Sequence, residues 1–323
     1  MHARFSIPHD AQVPPKPKQR LNFLCSDCGH TSPKWEGRCP VCGAWGTYAE
    51  FSEAKRSLST ARPLSAGRFS QNATGPADAT PLTDQLSDDE PRVKLGMPEV
   101  DRLLGGGVVA GSVMLLAGEP GIGKSTLLLQ LAAKIAISGS TVLYISGEES
   151  GLQVGMRASR IGASVDNLLF SSETSIEKVL DLLDSKHPAL VIIDSIQTLA
   201  SDDSTSGAGS VSQVRDCALA LLGWAKSMGV PLLLAGHVTK DGNIAGPRVL
   251  EHIVDVVLHM DGDELGSYRM LRCTKNRFGS TNDVALFEMG GDGLTEVSDP
   301  SAALIAERQR AVPGSAVIVT MEG

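Results

Sequence analysis

The sequence predicts an α/β fold with a mainly parallel central sheet, preceded by a small four-cysteine module and a flexible linker. Three observations support this expectation. From Val93 onward, apolar strand-like runs alternate with amphipathic helical runs, as in a parallel α/β sheet. A glycine-rich loop that begins at Gly118 stands between a strand pattern and a helix pattern. Four of the six cysteines lie within residues 25–42.

Length and composition set the broad class of the protein. The 323 residues are 42% hydrophobic and 20% charged, which suits two domains, or one large domain with an appendage, around a substantial core. The formal net charge of −8 excludes a uniformly basic surface for nucleic acid but allows a local basic patch. Residues 1–50 are the basic part, with six Lys and Arg against four Asp and Glu.

The apolar runs are too short for a membrane protein. The longest are strand-sized, such as Val113 to Ala117, whereas a membrane-spanning helix needs about 18 to 20 apolar residues. The opening residues contain no continuous apolar stretch of the kind that a secretory signal requires. We therefore predict a cytoplasmic protein with no membrane partner.

The four-cysteine module has the spacing of a metal site. Cys25 and Cys28 form one Cys-x-x-Cys pair, and Cys39 and Cys42 form a second pair after ten intervening residues. Four thiolates at tetrahedral geometry favour Zn²⁺. The alternatives are two disulfides or redox-active pairs, and neither suits a cytoplasmic ribbon without a βαβ unit around it. Because protein fills all four positions, we expect the zinc to be structural.

Aromatic and basic residues accompany these cysteines. Lys34, Trp35, Arg38 and Trp45 could stack on bases and meet phosphates, or the two tryptophans could simply cover a minimal core. Both interpretations stay open at this point. His30 fits a surface histidine better than a fifth zinc ligand.

The elements of the large domain follow from the apolar periodicity. The last four strand candidates have no long helical intervals between them, which predicts an antiparallel extension at one edge of the sheet. The candidate strands are Val113–Ala117, Thr141–Ile145, Leu168–Phe170, Leu190–Asp194, Pro231–Ala235, Ile253–His259, Tyr268–Cys273 and Asp283–Phe287. The candidate helices are Ser125–Ile137, Gly151–Ile161, Ser175–Ser185 and Val211–Met228.

The loop from Gly118 to Ser125 reads GEPGIGKS and matches G-x-x-x-x-G-K-[ST], with a strand before it and a helix after it. Its glycines let backbone N–H groups surround phosphate oxygens, and the helix N-terminus adds a favourable dipole. Lys124 is expected to reach the β- and γ-phosphates, and Ser125 to coordinate Mg²⁺. The loop therefore predicts a nucleotide-binding site.

Acidic residues at neighbouring strand ends complete the predicted site. Asp194 follows four apolar residues and is expected to act on Mg²⁺; the alternative is that it caps the next segment. Because Asp194 precedes Ser195 rather than an acid, the base must come from elsewhere. Glu148 or Glu149 could supply it, unless they form only a solvated acidic pair. His237, at another strand end, could sense the γ-phosphate or be an ordinary loop residue.

These motifs, in this order, closely resemble the RadA (Sms) family of bacterial DNA repair proteins over about residues 21–323. The most diagnostic segment is KNRFG at Lys275–Gly279, since phosphate loops alone occur in many unrelated functions. The motifs that carry the resemblance are the four cysteines, LLGGG, GEPGIGKST, ISGEES, VIIDSIQT, GHVTKDG, GPRVLEHIVDVVL and KNRFG.

The resemblance implies a RecA-type ATPase core that assembles into hexameric rings, binds single-stranded DNA and drives branch migration of recombination intermediates. It implies that Glu148 is the catalytic glutamate and Asp194 the magnesium-binding acid. Lys275 and Arg277 would reach the nucleotide of a neighbouring subunit and link it to DNA, as cations supplied in trans can stabilise the transferred phosphoryl group. The residues implied to hold ATP are Gly118, Glu119, Pro120, Gly121, Ile122, Gly123, Lys124, Ser125 and Thr126.

Contacts with DNA are expected on loops that follow strands. Residues 201–210 and 240–248 are polar, rich in glycine and long enough to line a ring channel. The first of these loops carries no basic residue. The better DNA-binding candidates are Lys240, Arg248, Lys275 and Arg277.

The expected organisation is a disordered tail at 1–20, the zinc module at 21–50, a linker at 51–92 and the ATPase domain at 93–300. Residues 301–323 look like the opening of a Lon-protease-like domain that family members carry, so we expect a truncated chain. The predicted cofactors are ATP, Mg²⁺ and Zn²⁺.

The leading functional prediction is a DNA-stimulated ATPase in recombinational repair, with a recombinase or replicative helicase as a possible partner. The alternatives are an ATP-gated DNA-binding scaffold without translocation and a clock- or signalling-type ATPase that acts on protein partners. The zinc module and the KNRFG segment argue against the clock- or signalling-type ATPase.

Overall fold

The structure, a computed structural model, describes residues 21–25, 31–32, 34–41, 43–52, 92–202, 209–237, 247–262 and 267–300. The chain divides into two units. The first contains the described residues of the cysteine module, and the second contains residues 92–300.

The cysteine unit is a small antiparallel sheet. Its strands are β1 (Leu21–Cys25), β2 (Thr31–Ser32) and β3 (Tyr48–Ser52), in the order β2-β1-β3. The pairing of Cys25 with Tyr48 places the first cysteine against the start of β3. The strand β3 ends at Ser52, two residues beyond the predicted limit of the module.

The large unit is built on one mixed sheet. Among the described residues the sheet has nine strands, in the order β12-β11-β10-β9-β4-β8-β7-β5-β6. The strands are β4 (Val113–Gly118), β5 (Val142–Ile145), β6 (Leu168–Ser171), β7 (Leu190–Ile193), β8 (Leu232–His237), β9 (Val256–Gly262), β10 (Tyr268–Asn276), β11 (Val284–Gly290) and β12 (Gly293–Glu296). Strands β4 to β9 pair in parallel, and β9 to β12 pair antiparallel. The predicted parallel sheet and its antiparallel extension are both confirmed.

Helices cover both faces of this sheet. The helices are α1 (Pro98–Leu103), α2 (Lys124–Ile137), α3 (Gly151–Arg160), α4 (Ile176–Lys186), α5 (Val211–Met228) and α6 (Pro247–Ile253), with a 3-10 turn at Ile196–Thr198. Since side chains alternate along a strand, Met114 packs with α2 on one face, and Leu115 packs with α4 and α5 on the other. None of the helices in the described ranges is long and apolar enough to cross a membrane.

The predicted strand Ile253–His259 is wrong at its start. Helix α6 occupies Pro247–Ile253, and the strand begins at Val256. The apolar run from Ile253 to Leu258, interrupted only by Asp255, concealed this boundary, although Pro247 at the first helical position is a start signal. Helix α1 and strand β12 were not predicted, because both are too short to show a clear apolar period. Helix α1 has six residues and β12 has four.

Helix α2 is tied to the last strand of the extension. The side-chain amide of Gln130 donates to the Leu294 carbonyl at 3.0 Å and accepts from the Leu294 N–H at 2.9 Å. This pair of bonds satisfies both backbone groups of Leu294, so the helix that follows the phosphate loop and the end of the sheet are held in register.

Trp224 anchors the face of the sheet that α5 covers. Its side chain is fully buried, and its indole N–H donates to an Asp184 carboxylate oxygen at 2.7 Å. We expect Trp224→Ala to lower the free energy of unfolding by about 3–5 kcal/mol, because it removes a large buried ring. Trp224→Phe should cost less, since it mainly removes the hydrogen bond. Urea denaturation followed by circular dichroism measures both, and equal losses for the two variants would contradict this account.

Candidate functional site

The predicted phosphate loop connects the end of β4 to the start of α2. Gly118 has a φ of 158°, and a Cβ atom there would lie 2.5 Å from the Met260 carbonyl oxygen. Gly123 caps the helix with a φ of 117°, where a side chain would be strained. The loop therefore needs glycine at both of its ends, in one case for a close backbone approach and in the other for its backbone angle.

Lys124 is buried at the N-terminus of α2. Its ammonium group donates to the carbonyl oxygens of Gly118 at 2.9 Å and Glu119 at 2.8 Å. Burial lowers the pKa of Lys124, while the nearby carboxylates of Asp194 and Glu148 oppose that shift. The structure thus brings Lys124, Asp194 and Glu148 together at one edge of the sheet.

Asp194 follows β7 directly and is also buried. The Tyr144 hydroxyl, on the neighbouring strand β5, donates to the Asp194 carboxylate at 2.5 Å. Burial and then the Asp194 charge raise the pKa of Tyr144 well above its usual value. Tyr144 therefore stays protonated and keeps donating to the carboxylate. The peptide bond that joins Asp194 to Ser195 is cis.

The two adjacent glutamates have different partners. The Ser195 hydroxyl donates to Glu148 at 2.5 Å, whereas Glu149 forms a salt bridge with Arg157 at 2.5 Å. Glu148 is exposed and stands beside the segment that follows Asp194. The interpretation of a purely solvated acidic pair does not describe this arrangement. Of the two, Glu148 is the carboxylate whose charge acts on Lys124, where it opposes the lowering of the lysine pKa.

The neighbouring strands complete this edge. In the parallel pairing, His237 at the end of β8 lies beside Gly118. On the other side, the Arg269 guanidinium at the start of β10 donates to the Ile122 carbonyl at 3.0 Å. Arg269 therefore holds the phosphate loop from the antiparallel extension.

The side chains at this edge suit Mg²⁺. Asp194 offers a buried carboxylate and Ser125 a hydroxyl at the first turn of α2, and hard oxygen ligands of this kind are those that Mg²⁺ prefers. The Tyr144 hydroxyl donates to Oδ2 of Asp194 and so fixes the orientation of this carboxylate. Bound there, Mg²⁺ would neutralise charge on the phosphate oxygens.

Lys275 and Arg277 lie at the opposite edge of the sheet. Gly118 pairs with Met260, but Lys275 pairs with Val257 near the start of β9. Because a parallel strand rises about 3.3 Å per residue, these levels are about 10 Å apart along the sheet. Arg277, two residues further along the chain, donates its backbone N–H to the Asp255 carbonyl at 3.2 Å and lies further still from the phosphate loop. Within one chain, neither side chain faces the chain's own nucleotide loop.

Both cations have partners at that edge. Lys275 donates to the carbonyls of Glu251 at 2.6 Å and Val254 at 2.8 Å, at the C-terminus of α6. Burial lowers the pKa of Lys275, and the Arg277 charge lowers it further. Arg277 donates to the buried Asp255 carboxylate at 3.1 Å and is itself half exposed. A bulge between Cys273 and Lys275 re-aims the end of β10 toward these groups.

The predicted DNA loops fall mostly outside the described residues. Residues 203–208 and 238–246 lie outside them, and Lys240 is among these. Arg248 belongs to helix α6. The start of the first loop is fixed, because the Ser201 hydroxyl donates to Glu177 at 2.6 Å and the Ser201 N–H donates to the buried Gln213 at 2.9 Å.

Two of the four predicted zinc ligands, Cys25 and Cys39, lie within the described residues of the cysteine module. Cys25 and Cys39 are both buried, with the Thr47 hydroxyl 3.1 Å from one sulfur and the Tyr48 hydroxyl 3.8 Å from the other. Buried sulfurs with hydroxyl neighbours suit thiolate ligands of a metal. Cys28, Cys42 and His30 lie outside the described residues.

The unpredicted site residues are Tyr144, Ser195 and Arg269. A signal existed for Tyr144, since a tyrosine hydroxyl within a buried strand needs a partner and the strand ends beside the predicted acids. Ser195 and Arg269 carried no comparable signal. Their roles depend on a side-chain contact with Glu148 and on the antiparallel pairing of β10.

Two family models match the chain. The model described as an AAA domain matches residues 77–243, about half of the chain, and the model described as a rubredoxin metal binding domain matches residues 23–50. These matches indicate a nucleotide with Mg²⁺ for the large unit and a metal for the small one.

Curated relatives cover nearly the whole chain. The DNA repair protein RadA of Listeria monocytogenes is 48% identical over 309 residues, and that of Bacillus subtilis is 47% identical over 306 residues. Each alignment covers 95% of this chain and 66% of the relative, so the chain spans just under two thirds of the length of these relatives.

A solved structure supports the fold. A KaiC-like protein from Pyrococcus horikoshii aligns over 65% of this chain and 100% of its own length, with a TM-score of 0.53 and 22% sequence identity. At this identity the likeness concerns the architecture alone. It agrees with the predicted RecA-type core and its mainly parallel sheet.

The hydrogen bond between Tyr144 and Asp194 is testable. We expect Tyr144→Phe to lower the free energy of unfolding by about 2 kcal/mol, because a buried carboxylate loses a donor. Urea denaturation checks this, and Asp194→Asn provides the second arm of a double-mutant cycle. If the effects of the two substitutions simply add, the two side chains are not coupled and the account is wrong.

The predicted zinc site of the cysteine module is testable independently. We expect about one zinc ion per chain by elemental analysis and its loss in Cys25→Ser, because four thiolates form one tetrahedral site. Cys217→Ala, at a buried cysteine of the large unit, should retain the ion. A purified chain that is free of metal and yet keeps its module folded would contradict the assignment.

Proposed function

The chain belongs to the RadA family of DNA repair proteins, within the AAA-domain proteins, and we propose that it is an ATPase of recombinational DNA repair. In this proposal it binds single-stranded DNA and uses ATP hydrolysis to promote branch migration. The observation that carries the proposal is the convergence of Lys124, Asp194 and Glu148 at the carboxyl edge of the parallel strands. The predicted cytoplasmic location stays a prediction.

Phosphate binding is assigned to the loop Gly118–Thr126. Its backbone N–H groups surround the phosphates, with the positive end of α2 behind them. Lys124 exchanges the carbonyls of Gly118 and Glu119 for the β- and γ-phosphate oxygens, an exchange of neutral partners for charged ones. Ser125 and Asp194 hold Mg²⁺.

Hydrolysis is assigned to Glu148. Its carboxylate is exposed and is oriented by the Ser195 hydroxyl, so it can accept a proton from a water molecule that attacks the γ-phosphate. Glu149 is neutralised by Arg157 and is less suited to this role. His237, beside Gly118 in the sheet, is in register to sense the γ-phosphate.

Lys275 and Arg277 are assigned to a neighbouring subunit's nucleotide. Their position at the far edge of the sheet leaves no role at the chain's own phosphate loop, and this supports action in trans in a ring of identical subunits. Together with Lys240 and Arg248, they are the proposed DNA contacts. A recombinase or replicative helicase is the proposed partner class.

ATP turnover tests the proposal. We expect single-stranded DNA to raise turnover and Lys124→Ala to abolish it. Glu148→Gln should lower kcat by about 10²–10⁴-fold while nucleotide binding persists, because the proton acceptor is lost but the phosphate loop is intact. Glu149→Gln is the matched control, since an amide can still accept from Arg157.

Two outcomes would overturn parts of the proposal. Turnover that is indifferent to single-stranded DNA would count against a DNA motor. DNA-stimulated turnover without strand displacement on a three-stranded intermediate would leave an ATP-gated DNA-binding scaffold instead.

A further inference from the structure

Two tryptophans of the cysteine module are on its surface. Trp35 is 58% exposed and Trp45 is 75% exposed, so neither covers a core. A Cβ atom on Gly37 would lie 3.8 Å from both ring systems. The two indoles therefore flank the same glycine. The residues that do fill the interior of the module include Cys25, Cys39 and Tyr48.

The backbone holds these rings in place. Arg38 and Trp45 face each other in an antiparallel bridge, and the Gly46 N–H donates to the Gly37 carbonyl at 2.8 Å. The turn is closed by Cys39, whose N–H donates to the Ala44 carbonyl at 2.8 Å. These bonds fix the backbone of Trp45 and of Gly37, the residue that both rings flank, next to the predicted metal ligand Cys39. Little entropy is lost when rigid rings bind a ligand.

The charges around the rings are mainly positive. The Arg38 guanidinium lies 5.9 Å from the Trp45 ring centroid and donates to the Gly43 carbonyl at 3.0 Å. Lys34 is exposed beside Trp35. The intervening Glu36 accepts from the Ser32 hydroxyl at 3.2 Å, on the β2 side. The module therefore presents two flat apolar faces with two cations beside them.

We propose that Trp35, Trp45 and Arg38 form a stacking platform for unpaired bases of single-stranded DNA, with Lys34 and Arg38 beside its phosphates. Every base has a face that can stack on an indole, and cations next to the rings match the backbone charge. A protein partner is less well matched, because the apolar area is divided by Gly37 and bordered by charge. The proposal rests on the proposed function only in taking single-stranded DNA as the ligand.

Intrinsic fluorescence tests the platform directly. The chain contains three tryptophans, and the third, Trp224, is fully buried in the large unit. We expect an oligo-dT strand to quench the emission of the full chain, and to quench Trp224→Phe to the same or a greater fraction. Trp35→Ala and Trp45→Ala should each weaken the affinity for oligo-dT in anisotropy titrations by about tenfold, as one stacked base is lost.

Matched variants separate stacking from folding. Val41→Ala removes an equally exposed apolar side chain of the same module and should bind as the unmodified chain does. Trp45→Phe keeps a ring and should recover part of the affinity that Trp45→Ala loses. Zinc content shows that each variant keeps its module folded.

The outcomes distinguish this proposal from the proposed function. If oligo-dT binds and stimulates ATP turnover without quenching, or if the alanine variants bind normally, the platform is wrong while the DNA-dependent ATPase stands. If oligo-dT neither binds nor stimulates, both are wrong. If oligo-dT fails to quench but a partner protein does, the surface is a protein-docking site and the platform is overturned.

Discussion

The arrangement of the edge of the sheet near Gly118 depends on the burial of one cation, the Lys124 ammonium. A buried charge is costly unless it is paired and hydrogen-bonded, and here two loop carbonyls and two carboxylates share that task. Asp194 is itself buried and is held by the Tyr144 hydroxyl. The ends of β4, β5 and β7 therefore carry polar groups that act together. The Gly118 carbonyl and the Asp194 charge offset the cost of burying Lys124, and the Tyr144 hydroxyl offsets the cost of burying Asp194.

The two edges of the sheet carry different chemistry. The edge at Gly118 gathers the predicted phosphate loop, Asp194 and Glu148, as expected for the carboxyl ends of parallel strands. The other edge gathers Lys275, Arg277 and the buried Asp255 around the end of α6. The antiparallel strand β10 links the two edges, because Arg269 near its start contacts the phosphate loop and Lys275 near its end contacts α6.

The sequence predicted the architecture and the main residues of the site, but not the side chains that hold those residues in place. The strands β4 to β11 and four helices follow from periodicity, and Lys124, Asp194 and Glu148 follow from a motif and from strand ends. Helix α6 was hidden because only Asp255 interrupts the apolar run that joins its last residue to β9. The separate partners of Glu148 and Glu149 could not be predicted, since Ser195 and Arg157 approach them only in three dimensions. The two tryptophans of the module illustrate the same limit, because no pattern in so short a segment distinguishes a core ring from a surface ring.

Strand β10 has a mechanical consequence. At its start, Arg269 donates a hydrogen bond to the Ile122 carbonyl of the phosphate loop. Near its end, Lys275 donates to the Glu251 carbonyl in the last turn of α6. A paired strand is stiff along its length, so β10 is a rigid connection of about 20 Å between these two contacts. A displacement of the phosphate loop would therefore be transmitted along β10 to Lys275 and the last turn of α6, at the other edge of the sheet.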